Sequence, residues 1–214
     1  MRARKKSWAE REISINETLI NDPQNYKNRW REYFDNDRPL YVELGCGKGR
    51  FITESAMSDP EINFIGVERE KQVLISGMRR ARELGVKNIG FVLADACDLP
   101  SFFGENEIKR LYLNFCDPWP NRKKWAKRRL THENFLKLYR PLLDGRIFFK
   151  TDNLELFEFT LEQFAANNWV AENIERDLHG GGRPSPGLMT EYEEKFFNAG
   201  VPVMYCEAYK NTAL

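Results

Sequence analysis

Residues 43–49 read Glu-Leu-Gly-Cys-Gly-Lys-Gly and close a short apolar run that begins at Leu40. Glycines in such a place let the backbone take positive φ and let a ligand lie against it. The phosphate-loop pattern fails, because Lys48 is followed by Gly49 rather than Ser or Thr. The dinucleotide pattern fails too, because Gly47 and Gly49 are two residues apart where three are needed. Glu43 stands two residues before Gly45, which suits a cationic ligand better than a pyrophosphate. S-adenosylmethionine carries a sulfonium and an ammonium and has no phosphate. An ordinary strand-to-helix turn is the plain alternative. Two more acids occupy similar places. Glu68 ends the run from Ile62, where a carboxylate can accept both hydroxyls of a ribose, and Asp95 follows the run Ile89 to Ala94, next to where an adenine would lie. Each acid alone reads as a solvated surface charge. Three at the ends of three successive strands read as a site.

A second constellation is Asn114-Phe115-Cys116-Asp117-Pro118-Trp119-Pro120. The two prolines fix their own φ and restrict the residue before each, so the loop is stiff. A stiff loop can position a flat base, with Trp119 or Phe115 packed near it and Asp117 accepting its N–H groups; a structural proline turn is the alternative. The run Arg122, Lys123, Lys124, Trp125, Ala126, Lys127, Arg128, Arg129 holds six cations in eight residues, which suits a nucleic acid or another polyanion. Arg2, Arg4, Lys5 and Lys6 form a second basic arm.

These residues need a scaffold, and the pattern between them supplies one. Strands are expected at 40–44, 62–68, 89–94, 108–114 and 146–151. Helices are expected at 50–57, 71–84 (stopped by Gly85), 98–103, 132–143 and 153–167. Two final strands are expected at 169–178 and 201–209, with a glycine-proline stretch at 180–187 and a polar helix at 191–197 between them. Residues 7–34 read as two helices around Asn21-Asp22-Pro23, with Tyr26, Trp30 and Phe34 on one face. Strand–helix alternation implies parallel crossovers and a sheet covered on both faces, with ligands outside the carboxyl ends of the strands. The loops at 45–49, 68–70, 95–98, 114–129 and 151–153 then converge on one site.

The chain has 214 residues, 42% hydrophobic and 30% charged, with fifteen Phe, which excludes a disordered chain and fits one domain over 1–214 with a helical extension at 1–36. No apolar run exceeds four residues, so no membrane span is expected, and no apolar stretch follows the basic N-terminus to make a secretory signal. Four cysteines without a C-x-x-C pair and two distant histidines argue against a metal site and a disulfide framework, and fit reduced thiols in a cytoplasm. The net charge of +1 conceals the basic clusters.

Taken together, the chain resembles the bacterial tRNA (guanine-N7-)-methyltransferase family. The resemblance rests on Val42 to Gly49, Asn114 to Pro120, Lys127-Arg128-Arg129-Leu130, Phe149-Lys150-Thr151-Asp152-Asn153 and Met189 to Phe196, in that order, and covers nearly the whole chain. It implies a Rossmann-like class I α/β fold, S-adenosylmethionine-dependent, with a seven-stranded, mostly parallel sheet, helices on both faces and an antiparallel last strand. It implies methylation of a guanine in the variable loop of tRNA, at position 46, by a monomer or a homodimer without metal. Glu43, Gly45, Gly47, Gly49, Glu68, Asp95, Ala96, Asn114 and Asp117 would hold the cofactor, and Asp117 would be catalytic. Lys123, Asp152, Thr190, Glu191, Tyr192 and Glu193 would face the guanine or its nucleotide. Arg122, Lys123, Lys124, Lys127, Arg128 and Arg129 would meet the RNA. One departure is Asn121 after Pro120, with a loop one residue longer than is common and Trp125 where His is usual; no role passes to Trp125 from that His. Three rivals stay open on the residues alone: methylation of an exocyclic amine, a nicotinamide oxidoreductase, and RNA binding without catalysis.

Overall fold

The computed structural model describes residues 16–120, 122–180 and 188–211, and the side chain of Lys123 falls outside that description, as do the basic arm at Arg2 to Lys6 and most of the glycine-proline stretch. Alternation in the sequence becomes seven strands in one sheet: β1 (Leu40–Leu44), β2 (Asn63–Glu68), β3 (Ile89–Leu93), β4 (Ile108–Asn114), β5 (Leu143–Thr151), β6 (Trp169–Glu175) and β7 (Met204–Lys210). Their order is β3-β2-β1-β4-β5-β7-β6. Pairs β1–β2, β1–β4, β2–β3 and β4–β5 are parallel, and β7 runs antiparallel to both β5 and β6.

Successive strand side chains point to opposite faces, and two cores follow. Val42, Leu44, Ile65, Val67, Leu111 and Leu113 pack on one side. That side also takes the buried residues of α4 (Leu99–Phe102), α6 (Glu133–Leu142) and α7 (Leu154–Ala166). Phe64, Phe91 and Tyr112 pack on the other, against α2 (Arg50–Ser58) and α3 (Lys71–Glu83). Local signals set the helix ends. Asn153 Oδ1 accepts from Leu156 N at 2.8 Å at the start of α7, and Gly85 takes φ +67° just past α3. The strand β5 begins three residues before the expected Arg146, because Leu143 is fully buried and pairs with Ile108.

The expected helix over the second half of 7–34 is corrected. A 3₁₀ turn at Pro23–Tyr26 and the short α1 (Trp30–Phe34) are separated by Asn28, whose φ of 61° breaks any continuous helix. Residues 16–22 are not helical, and Leu19 bridges to Phe91 at the β3 edge. The Tyr26 and Trp30 rings still lie 5.6 Å apart, with Trp30 buried against Phe103.

Candidate active site

The carboxyl ends of β1, β2, β4 and β5, and the turn after β3, bring the expected acids to one sheet edge. Glu43 is buried in β1, and its Oε1 accepts from Asn114 Nδ2 at 2.9 Å, a bond between neighbouring strand ends. Its Oε2 is buried and has no hydrogen-bond partner among the described residues. A buried, half-satisfied carboxyl is costly when ionised, and burial pushes the Glu43 pKa up to about 8, with Asn114 opposing the shift. Glu68 is oriented by two backbone donors, Gly47 N to Oε2 at 3.1 Å and Glu70 N to Oε1 at 2.9 Å. A carboxylate held this way keeps acceptor capacity for hydroxyls.

The three glycines of the turn divide in function. Gly45 and Gly47 take φ +68° and +58°, and a Cβ on Gly45 would meet nothing within 4 Å. They border open space. Gly49 does not: a Cβ there would lie 2.8 Å from the Cα of Gly77 in α3. Gly49 lets α2 start tight against α3, a packing demand separate from the expected contact with the cofactor. An orphaned buried carboxylate oxygen, an adjoining bare backbone and a pre-oriented second carboxylate together fit the ammonium and ribose of S-adenosylmethionine.

Asp95 is exposed, and its Oδ1 caps the 3₁₀ turn Ala96–Asp98 by accepting from Cys97 N at 3.0 Å. Asp117 is 68% exposed, and Arg69 lies 3.8 Å from it, reaching over from the β2 end. Asp152 is exposed at the end of β5. Phe115 holds φ +49°, a left-handed conformation unusual for a bulky residue, which costs on the order of 1–3 kcal/mol and marks a loop held by its surroundings. Those surroundings are the rings of Tyr192 and Phe196, at 5.9 and 5.7 Å. Next to it, burial pushes the Cys116 thiol up to about 12, so this sulfur stays protonated and is no nucleophile at neutral pH.

The basic run splits in the same way. Arg122, Lys124, Lys127 and Arg128 are exposed, and the Arg128 guanidinium lies 4.7 and 4.9 Å from the ring centres of Trp119 and Trp125, which stack at 5.4 Å. Trp125 thus braces the Pro-Trp-Pro loop. Arg129 is corrected as an RNA contact: its side chain is 1% exposed, with Nε donating to Trp119 O at 2.8 Å and a terminal nitrogen to Glu155 at 2.7 Å. It ties the loop to α7.

The segment after 188 also departs from expectation. In α8 (Glu191–Asn198), Glu191 and Tyr192 are exposed, and Glu191 lies 3.8 Å from Arg80. Thr190 and Glu193 turn inward as a reciprocal cap: Glu193 N donates to Thr190 Oγ1 at 3.0 Å and Thr190 N to Glu193 Oε2 at 3.3 Å. As placed, those two side chains shape the helix start and do not face open space. Two partners of Glu193 were missed by sequence reasoning, Lys150 at 2.8 Å and His179 at 3.3 Å. The available signal was a lysine inside the apolar run Ile147 to Thr151. A cavity of about 680 Å³ lies elsewhere, lined by Phe51, Phe64, Arg110, Tyr112 and Phe148, and includes none of the strand-end acids.

Known proteins resemble this chain along its length. The family described as "Putative methyltransferase" matches residues 37–206. The tRNA (guanine-N(7)-)-methyltransferase of Clostridioides difficile (strain 630) is 43% identical over 98% of each chain. That of Geobacillus kaustophilus (strain HTA426) is 45% identical over 98% of this chain and 97% of its own. Among solved structures, the 16S rRNA methyltransferase KamB shares the fold at TM-score 0.62 with 13% identity, over 86% of this chain and 93% of that one. A 16S rRNA (adenine(1408)-N(1))-methyltransferase mutant with cosubstrate SAM from Catenulisporales acidiphilia does so at 0.58 with 16% identity, over 91% and 93%.

Proposed function

This chain belongs to the tRNA (guanine-N7-)-methyltransferase family, S-adenosylmethionine-dependent enzymes of tRNA, and from that premise we propose how its residues divide the reaction. The observation that carries the division is the partnerless, buried Oε2 of Glu43 beside the open turn at Gly45 and Gly47. Glu43 takes the ammonium of the cofactor, and Asn114 holds that carboxylate in place. Glu68 takes the ribose hydroxyls, and Asp95 with Ala96 borders the adenine. When bound, S-adenosylmethionine supplies an electrophilic methyl on sulfur.

Guanine N7 has an in-plane lone pair and no proton to lose. The protein therefore has no base to supply at N7, and its work is placement and charge. Holding a base edge in attacking position is worth roughly 7–11 kcal/mol of barrier. Asp117 stands on the braced 115–129 loop and accepts N–H groups of the guanine, and its charge favours the cation that develops on the methylated base. Asp152, Glu191 and Tyr192 line the substrate side, and Lys123 on the loop faces the nucleotide. Arg122, Lys124, Lys127 and Arg128 take RNA phosphates. The base methylated is the one at position 46 of the variable loop, and the reaction runs in the cytoplasm. These residues belong to one sheet and to the loops and helices that join its strands, which supports reading the chain as a single unit, and we propose that it acts as a monomer or a homodimer.

Phosphate contacts give binding a salt dependence, with a slope that counts them. Arg128→Ala should reduce the slope of log K against log[salt] by about one. Arg129→Met should leave the slope unchanged and lower turnover at least tenfold by releasing the loop. Filter binding of tRNA across a salt series checks both, and equal slopes for wild type and Arg128→Ala would remove Arg128 from the RNA surface. The reading as a whole is tested by incubating the protein with labelled S-adenosylmethionine and unmodified tRNA, then digesting to nucleosides. Label in 7-methylguanosine supports it, with borohydride and aniline cleavage of the intact methylated tRNA placing the base at position 46, and label in an N2-methylated guanosine or an adenosine overturns it.

A further inference from the structure

Buried polar groups lie side by side at the sheet edge. Glu43 accepts from Asn114 at the end of β4, and Lys150 stands beside Asn114 in the next strand as its register partner. Lys150 Nζ donates to Glu193 Oε2 at 2.8 Å, and both side chains are almost wholly buried. Glu193 Oε1 lies 3.3 Å from His179 Nε2, and Oε2 also accepts the backbone N–H of Thr190. A carboxylate with this many partners is fixed. Because it is part of the helix cap, the first turn of α8 is fixed with it. That turn presents Glu191 and the 58% exposed Tyr192, whose ring stacks on Phe115 of the loop that carries Asp117.

The outer face of α8 is held differently. Arg50 pairs with Glu194 at 2.5 Å and Arg80 with Glu191 at 3.8 Å, all partly exposed. Exposed pairs are weak and screened by salt. The inner pair is not screened, and breaking a buried pair from one side strands the remaining charge.

We propose that Lys150 is a positioning residue for tRNA: through its buried pair with Glu193 it clamps the start of α8, so that Glu191 and Tyr192 stand ready for the nucleotide, without itself touching substrate. Glu193, accordingly, acts through the helix it caps. The proposal rests on the reading above only for what α8 meets, not for the clamp itself. Lys150 also lies near Glu43, where its charge favours the ionised carboxylate but repels an incoming cation, so the two influences on the cofactor oppose each other.

The test uses the full chain and the Lys150→Met variant, which keeps the length of the side chain and removes its charge. The KM for tRNA should rise at least tenfold while the KM for S-adenosylmethionine stays within about threefold. Amide hydrogen exchange across 190–198 should speed at least tenfold, with the β1 and β4 amides unchanged, and 0.5 M salt should not reproduce that release in the wild type. In the double variant Lys150→Met/Glu193→Gln the effects should be less than the product of the single ones, since the two groups act as a pair. A folded Lys150→Met protein with tRNA KM and 190–198 exchange within twofold of wild type would overturn the proposal. If Lys150→Met does not fold, Glu193→Gln keeps the capping atoms and removes only the charge; a tRNA KM raised three- to tenfold supports the clamp, and an unchanged one overturns it. Failure of the functional reading would show separately, as wild-type protein that transfers no methyl to tRNA, and hydrogen exchange would still report on the clamp.

Discussion

Replacing Asp117 by alanine should lower kcat for tRNA methylation by about 10²–10³-fold, the range seen when one preorganised group facing developing charge is removed. The structure favours a catalytic over a structural effect. The side chain is 68% exposed, its one cation neighbour among the described residues is Arg69 at 3.8 Å, and exposed pairs of that kind contribute little to stability. Unfolding free energy should therefore stay within about 0.5 kcal/mol of wild type. What holds Asp117 in place lies around it: the left-handed Phe115 seated against Tyr192 and Phe196, the stacked Trp119 and Trp125, and Arg129 beneath them. Single-turnover rates at saturating tRNA and cofactor check the prediction, and a rate within threefold of wild type would remove Asp117 from the chemistry.

Glu43→Gln should show two large effects of opposite sign. Removing one partner from a buried charge pair typically costs 2–5 kcal/mol, so cofactor affinity should fall by about 10²–10³-fold. The same change should make the protein without cofactor more stable. The Glu43 pKa rises from 4.5 to about 8 on folding, chiefly through burial. In that window the native state keeps a proton that the unfolded chain has released. Wild-type stability therefore falls as pH rises from about 4.5 to about 8, by at most about 1.4 kcal/mol per pH unit, and the loss is complete above that. A glutamine escapes this loss. The melting temperature of Glu43→Gln should match wild type near pH 4.5, exceed it increasingly up to pH 8, and run parallel above. Thermal melts across that range and calorimetric titration with S-adenosylmethionine measure the two halves. Stability given up at a ligand-free carboxylate and regained on binding is a familiar cost of a functional site.

Much of this site was legible because of where strands end. The apolar runs 40–44, 62–68 and 108–114 marked the strands, and the rule that ligands sit beyond carboxyl ends drew the loops after them together, with Glu43, Glu68 and Asp95 at the strand ends, while the roles of Asn114 and Asp152 followed from the family resemblance. What stayed hidden was direction of burial. Six cations within eight residues give no sign that Arg129 alone, among those described, turns inward to hold a tryptophan carbonyl. Three glycines in one turn give no sign that Gly49 serves helix packing while Gly45 and Gly47 border open space. The capping pattern at Thr190 and Glu193 was present in the sequence, yet its partner Lys150 lies 43 residues away in strand β5. Of the four-residue spacing Tyr26, Trp30 and Phe34, the last two do share the short helix α1, whereas Tyr26 meets Trp30 across a break at Asn28, with Trp30 packed on Phe103.

The central claim is that a sulfonium cofactor sits at the tips of β1 and β2. A crystal structure of the protein with S-adenosylmethionine addresses it without intermediary. The amino group should lie within hydrogen-bond distance of Glu43 Oε2, with the ribose hydroxyls on Glu68. Density for the ligand in the aromatic cavity beside Phe64 and Tyr112, or anywhere that leaves that buried oxygen without a partner, would contradict it.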